Sequence, residues 1–464
     1  MDLLRYIGGA RSGEAAYGAA LTSAGRRVID TLSKKANVTV NFDLNGSVAE
    51  VPLRPEVRDF LDLAATIYIG DELEARAGAP DGWNRDFRII FPTSDPDRWR
   101  AASDVLGRML TVLSGDHFDF EWLRASRPLG SYGTHRIGVA RRYDAVCLFS
   151  GGIDSLLGAY RLLCAEKRVL LVGHQAEGIT ASAQTRLFRW LKERFKKNVD
   201  FLQCRVARAQ RSDPKYPLGD KSEESHRPRS FLFLALATAA ARAAHVRHIE
   251  IPENGLIALN PPLGPSRLGT VSTRTAHPAF LNAFSRLVKQ AGVFDGEIQN
   301  PFLYLSKTDM VSATDSAIRT VLPETVSCSH AGRLRWDGAA GIRHCGYCLP
   351  CIYRRIALME IGLDTPKTYL RDVFTKLPGL SETERADLRA LSRFARRVSS
   401  ATEAERQALV VAQAAFAHDV GGQLGPGASH GYAEWSGMLK RWADDFMKKL
   451  GDVTSAKTKS ILGI

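Results

Sequence analysis

The rhythm of apolar and polar residues changes near Asp144. Before that point the pattern is mixed. Val38 to Leu44 alternates as a strand, Asn45-Gly46-Ser47 supplies a turn, and Val48 to Leu53 reads as the returning strand. Val57 to Tyr68 and Arg98 to Leu113 read as amphipathic helices around a strand near Phe87 to Phe91. Residues 1–140 are therefore expected to form a small α+β appendage, and they carry no motif with a chemical role.

From Asp144 onward, strands of the buried type alternate with helices. Ala145 to Phe149 is an apolar run. The helix after it sets Leu156, Leu157, Tyr160, Leu163 and Cys164 on one face. Val169 to Val172, Val199 to Gln203, His248 to Ile251 and Phe302 to Leu305 read as further strands. Helices are expected at Ala181 to Lys196, Ser230 to Ala244, Pro278 to Gln290 and about Thr308 to Thr320. This alternation predicts an α/β fold with a doubly wound parallel sheet over residues 141–365. Beyond Asp372 the pattern is helical, with segments at Glu382 to Val398, Thr402 to His418 and Ala433 to Leu450, the last two separated by Gly421 to Ser429. Residues 366–464 are expected to be a C-terminal helical region.

The 464 residues exceed one ordinary core, which agrees with three pieces. Hydrophobic residues at 45% and charged residues at 24% are the composition of a globular protein. The longest apolar run, Phe231 to Ala241, falls short of the roughly 20 residues that cross a bilayer. The chain opens Met1-Asp2-Leu3-Leu4-Arg5 with no apolar leader, so a cytoplasmic location without membrane contact is expected. A net charge of +13 invites a nucleic-acid partner. The bases are mostly spread along the chain, with local clusters at Arg194-Phe195-Lys196-Lys197 and at Arg205, Arg208 and Arg211. Solvated faces or a small anionic substrate are favoured over RNA or DNA, though charge alone leaves both open.

Between the first core strand and its helix stands Ser150-Gly151-Gly152-Ile153-Asp154-Ser155. Two glycines let backbone approach a ligand without intervening Cβ atoms. The helix that starts here aims unpartnered N–H groups and its positive dipole end at the loop. Together these make a phosphate cradle. Ser150 and Ser155 add hydroxyls, and Asp154 is placed to orient the loop or to hold Mg²⁺. An ordinary turn with one capping residue is the plain alternative, but capping needs one Asp or Ser rather than this ordered set. In a parallel sheet, ligands sit beyond the carboxyl ends of the strands. That rule nominates Gly173 and His174 for the adenine or ribose, Glu253 and Asn254 after the strand ending at Ile251, and Ser306 with Lys307, whose ammonium suits a phosphate.

Seven cysteines with no export signal argue against a disulfide framework. Cys147, Cys164 and Cys204 are expected as small buried side chains. Cys328, Cys345, Cys348 and Cys351 differ. The C-x₂-C-x₂-C run brings three sulfurs onto one knuckle, and Cys328 closes a tetrahedron suited to structural Zn²⁺. Four thiolates also serve iron–sulfur clusters, and His330 or His344 offers a substitute ligand.

The hexapeptide 150–155 resembles the Ser-Gly-Gly-x-Asp-Ser signature of the PP-loop ATP pyrophosphatases, which implies an adenine nucleotide alpha hydrolase-like fold and cleavage of ATP between its α and β phosphates. Followed by Cys-Gly-x-Cys-x-x-Cys, it resembles the QueC family of 7-cyano-7-deazaguanine synthases. Arg227-Pro228-Arg229-Ser230-Phe231-Leu232 is similar to the family's Pro-Ala-Arg-Asn stretch, and Ser306-Lys307 to its Ser-Lys before a helix. The resemblance implies that Asp154, Ser155 and Lys307 serve catalysis and that Arg229 joins the nucleotide site. It also implies ATP and Mg²⁺ with a deazaguanine acid as substrate. The family's Tyr-Pro-Asp-Cys-Arg stretch is replaced by Ser272-Thr273-Arg274-Thr275-Ala276-His277-Pro278, where Arg274 and His277 are the substrate-side candidates. A long QueC-like chain of this build resembles the QatC proteins of the Qat antiphage defence system, which implies a protein partner from the same defence operon. A tRNA-modifying PP-loop enzyme, with residues 1–140 as an RNA clamp, and a nucleotide-binding scaffold without chemistry are the competing readings.

Overall fold

The computed structural model describes residues 1–5, 26–31, 36–44, 49–125, 136–139, 141–175, 178–209, 217–219, 223, 225–261, 263, 275–332, 334, 342–414 and 428–463. The expectations for Asn45-Gly46-Ser47, Arg211, Arg274, His418 and Gly421 fall outside them.

Strands β1 (Asp2–Arg5), β2 (Arg26–Ile29), β3 (Val38–Leu44) and β4 (Ala49–Pro52) precede helix α1 (Pro55–Leu73). They are followed by β5 (Asp86–Thr93), α2 (Pro96–Ser114), β6 (His117–Arg124) and β7 (Arg136–Val139). The order β2-β1-β5-β6 makes a wholly parallel sheet. The N-terminal part therefore has a strand–helix–strand rhythm of its own. It is hard to see in the sequence because α1 is buried on all sides rather than along one stripe. Phe60 packs on Trp99 of α2 in one direction and on Phe231 and Phe284 of the core in another. Helix α2 starts where Asp95 accepts the Arg98 N–H at 3.2 Å ahead of Pro96, and it ends at left-handed Gly115.

The core begins with β8 (Ala145–Leu148), α3 (Ile153–Cys164), β9 (Val169–His174), α4 (Gly178–Phe195) and β10 (Val199–Arg208). It continues through α5 (Arg229–Ala243), β11 (His248–Glu250), α6 (Gly255–Leu259), α7 (Pro278–Gln290), β12 (Glu297–Gln299), α8 (Lys307–Ser312) and α9 (Ser316–Arg319). The sheet runs β12-β11-β8-β9-β10-β3. Its core strands are parallel, as expected, and β3 closes the edge antiparallel to β10. The expected hairpin of β3 with the next strand does not form: β3 goes to β10, and β4 pairs with β7. One strand before residue 140 is thus built into the core sheet.

Three further expectations are corrected. Phe302 to Leu305 is a turn, and the strand beside β11 is β12, where Glu297 and Gln299 face solvent at the sheet edge. Phe302 is buried instead against Gly158 of α3. The helix expected up to Thr320 breaks because Asp315 caps a new start, accepting from the Ile318 N–H at 3.0 Å and the Tyr160 hydroxyl at 2.7 Å. Cys164 is exposed at the last residue of α3, whereas Cys147 and Cys204 are buried.

Helices α10 (Leu349–Glu360), α11 (Glu382–Ser400), α12 (Glu403–Ala414), α13 (Ala428–Val453) and α14 (Ala456–Leu462) complete the chain. Leu388, Leu391, Trp435 and Trp442 share one apolar cluster with Leu256, Ile352 and Ile356. The C-terminal helices therefore pack onto the core through α6 and α10. Among the described residues no helix is long and apolar enough to cross a membrane.

Candidate nucleotide site and metal knuckle

The loop after β8 turns on two glycines. Gly151 has φ +83°, a conformation that L side chains rarely adopt, and a Cβ there would sit 3.1 Å from the Gln184 nitrogen. Gly152 precedes α3 without a side-chain cap, so the first turn of that helix opens toward the loop. Ser155 Oγ donates to the Gly152 carbonyl at 3.1 Å and lies 3.2 Å from Ser150 Oγ. These bonds fix both hydroxyls over one concave stretch of main chain, beyond the carboxyl end of β8.

Asp154, on the first turn of α3, is buried. Its Oδ2 accepts from the Asn254 backbone N–H at 3.1 Å and the Asn254 amide at 2.7 Å, and its Oδ1 pairs with the Lys307 ammonium. Asn254 also caps α6, with Oδ1 accepting the Ile257 N–H at 3.3 Å. Lys307 is the first residue of α8, fixed by a capping box in which Ser306 and Asp309 exchange hydrogen bonds of 3.1 and 2.9 Å. The loops after β8 and β11 and the start of α8 thus meet at one carboxylate.

Glu253 adds a second acid beside the first. Burial pushes its carboxyl well above the usual range, and the Asp154 charge and hydrogen bond push it the same way against Lys307 and Arg229. Burial also opposes ionisation of Asp154, but Lys307 and the hydrogen bonds from Glu253 and Asn254 hold it below its ordinary value. The opposite shifts favour an ionised Asp154 facing a protonated Glu253. Asn300, which the sequence did not single out, fixes this loop. It accepts from Glu253 N–H at 3.2 Å and donates to the Glu253 carbonyl at 2.8 Å. Its signal was the Asn-Pro turn just after a strand end.

Gly173 is a packing requirement: a Cβ would stand 2.5 Å from the Phe149 carbonyl. His174 Nε2 accepts the Val206 N–H at 3.3 Å, and burial lowers its pKa to about 4, so the ring is neutral. Its Nδ1 has no hydrogen-bond partner among the described residues. Gln184 bridges the ends of β8 and β9, donating to the carbonyls of Phe149 at 3.1 Å and His174 at 3.3 Å. The sequence signal for it was a polar residue on the apolar face of Leu187 and Leu191. Arg229 opens α5, and its charge acts on both Glu253 and His174. His277 is buried and caps α7, its Nδ1 accepting the Ala279 N–H at 3.2 Å. That is a structural job, and a substrate role has no separate support from its position. Arg274 lies outside the described residues.

The sulfurs of Cys328, Cys345, Cys348 and Cys351 lie within 4.8 Å of one another. Tetrahedral Zn–S bonds of about 2.3 Å require sulfurs about 3.8 Å apart. Cys345 and Cys351 stand at 3.8 Å, and Cys348 and Cys351 at 3.3 Å. Backbone N–H groups of His330 and Cys345 reach Cys328 Sγ at 3.3 Å, and that of Cys348 reaches Cys345 Sγ at 3.4 Å. Such donors favour thiolates, so the donor set fits zinc. Both ring nitrogens of His344 are buried without a hydrogen-bond partner among the described residues, and burial lowers its pKa to about 3.

Residues 275–362 match the family described as queuosine biosynthesis protein QueC. That window holds Lys307 and the four clustered cysteines, and it leaves the loop 150–155 outside. The 7-cyano-7-deazaguanine synthases of Brucella ovis, Brucella canis and Brucella suis are 35% identical to the chain over 94 residues, which is 20% of this chain. The match spans 36% of the length of these relatives.

Proposed function

From a chain that is QueC-like and of the PP-loop superfamily, we propose an ATP-dependent enzyme that adenylates the carboxylate of a 7-deazaguanine acid and then forms a C–N bond. A carboxylate oxygen attacks the α phosphorus and pyrophosphate leaves. An amine nitrogen then attacks the acyl carbon, and AMP leaves with the carboxylate oxygen. The observation that carries this reading is the buried Asp154 held between Asn254 and Lys307 at the mouth of an uncapped glycine loop.

In this reading Ser150, Ser155 and the loop N–H groups bind the departing pyrophosphate, where fixed donors stabilise developing charge. Lys307 and Arg229 add positive charge around the two acids. Asp154 and Glu253 would offer oxygen ligands to Mg²⁺, which would supply charge neutralisation at the phosphates. Such binding would favour the ionised form of Glu253. Zinc at the four thiols is structural, since four sulfurs leave no open position.

The acceptor is ammonia or an amine of a protein partner in antiphage defence. Incubation of the full chain with ATP and a panel of 7-deazapurine acids is expected to yield AMP and pyrophosphate with a 7-carboxyl acid and not without one. Mass spectrometry of a candidate partner then separates the two acceptors by the presence or absence of an added deazaguanine. No AMP with any acid would sink the proposal.

A further inference from the structure

A short segment lies between the glycine loop and the thiol cluster and touches both. The Val326 N–H donates to the Gly151 carbonyl at 2.9 Å. A Cβ on Gly152 would stand 3.4 Å from Ser327 Oγ and 3.5 Å from the Val326 carbonyl. The segment therefore rests directly on the two glycines. The next residue, Cys328, is one of the four clustered thiols.

The far end of the knuckle grips the same segment. Arg354, three residues beyond Cys351, is buried and donates to Thr325 Oγ1 and to the carbonyls of Leu322 and Pro323 at 3.3 Å. Val326 also packs with Ala183 and Ala331, beside Ile179 and Cys328. Residues 322–328 are thus held from both ends of the cysteine cluster and pressed onto the loop.

Ser327 Oγ is buried and has no hydrogen-bond partner among the described residues. A buried hydroxyl left unpaired is costly, and native structures seldom keep one without a use. Its place beside Gly152 supplies the use: an anion in the glycine loop would come within its reach. We propose that Ser327 is a further pyrophosphate-binding residue, held in place by the metal knuckle, so that metal retention and nucleotide binding are coupled through residues 325–328. This rests on the ATP reading above and adds to it. Coupling is reciprocal. Pyrophosphate bound in the loop slows loss of the metal, and loss of the metal loosens the loop.

The test uses the full zinc-loaded chain. Binding of α,β-methylene-ATP and of inorganic pyrophosphate is followed by calorimetry, zinc per chain by elemental analysis, and zinc release by transfer to a chromogenic chelator. Ser327→Ala is expected to weaken both ligands about tenfold at unchanged zinc content. Ser327→Thr, which keeps the hydroxyl, is expected to recover most of that loss. Saturating pyrophosphate is expected to slow zinc release from the wild-type chain and to lose that effect in Ser327→Ala. Equal ligand affinity in Ser327→Ala and wild type overturns the assignment of Ser327 and leaves the ATP reading standing. Zinc release from the wild-type chain that ignores saturating pyrophosphate overturns the coupling, even if the alanine variant does not fold. A wild-type chain that binds neither ligand removes both this inference and the reading beneath it.

Discussion

Two buried groups of charges, one beside the N-terminal sheet and one at the glycine loop, each centre on an aspartate held by cations and differ in how fully that centre is paired. Asp116, just after α2, accepts from Arg76 Nη1 and Nη2 at 2.8 Å each. It also accepts from the Arg85 N–H, Nε and Nη2 at 3.0, 3.2 and 2.8 Å. Asp71 Oδ1 accepts from Nη2 of both arginines, while its Oδ2 has no hydrogen-bond partner among the described residues and burial pushes its carboxyl up. At the loop, Asp154 is paired with Lys307, but Glu253 beside it is pushed toward its protonated form, and Ser327 Oγ and His174 Nδ1 lack partners among the described residues. A buried charge is tolerated when it is paired and hydrogen-bonded. Asp116 meets that condition from within, with five donors on its two oxygens, which fits a structural role; Asp71 meets it on one oxygen. The loop group leaves donors and a proton unassigned, which fits a charged ligand.

The largest expected effects break this contrast from each side. Asp154→Asn keeps a side chain of the same shape and removes the charge. Pyrophosphate release should fall by roughly a thousandfold, the scale of losing a fixed electrostatic contact, with the far-UV dichroism unchanged. Retained release would show that the carboxylate is only a helix-end partner for Asn254. Asp116→Asn should do the opposite. Breaking one partner of a buried ionic group costs about 3–5 kcal/mol, read as a lower urea midpoint, while turnover per folded molecule is kept. A stable Asp116→Asn chain with lost turnover would make the two clusters functionally alike.

How far the sequence reached follows the same division. Ser150 to Ser155 and the four cysteines were legible because each has its chemistry in consecutive or closely spaced residues. The meeting of Asp154 with Asn254 and Lys307 was legible only as three separate strand-end loops, since the sequence orders them 100 and 153 residues from Asp154. Asn300 and Gln184 act through main-chain contacts, and their signals, an Asn-Pro turn and one polar residue on an apolar helix face, do not say which main chain they hold; Ser327 carries no signal at all. The fold was misread where burial came from tertiary packing rather than from a stripe. α1 is buried on every side although it carries Arg58, Asp59, Asp62 and Asp71, and Phe302 is buried from a turn. β3 left its expected hairpin because the open edge of β10 needed pairing, a demand that exists only once the sheet is formed.

A smaller effect tests whether the neutral His174 belongs to the strained side of the comparison. Burial depresses its pKa from 6.5 to about 4. A depressed folded-state value means that the unfolded chain binds the proton first as pH falls. Its contribution to stability is therefore whole above pH 6.5 and is lost as pH drops from 6.5 toward 4. His174→Gln keeps an acceptor for the Val206 N–H and has no proton to gain. The melting temperature of the wild-type chain should fall relative to this variant across that window, and parallel curves would place His174 in contact with solvent.

The smallest effect concerns support of the site from the C-terminal helices. Trp435 of α13 donates its indole N–H to the Leu303 carbonyl at 2.9 Å, and Tyr304 packs edge-on against the same ring at 5.6 Å. Two residues on, the Leu305 carbonyl accepts the Gly255 N–H at 2.8 Å, directly after Asn254, and Ser306 and Lys307 follow in the chain. One indole therefore steadies the turn from which both partners of Asp154 are held. Trp435→Phe keeps the apolar packing and deletes the donor, which should cost about 1 kcal/mol of stability. Because the turn reaches both Asn254 and Lys307, kcat for pyrophosphate release should fall a few-fold with little change in the KM for ATP. A stability loss with kcat untouched would confine the C-terminal helices to the structural side, alongside the Asp116 cluster.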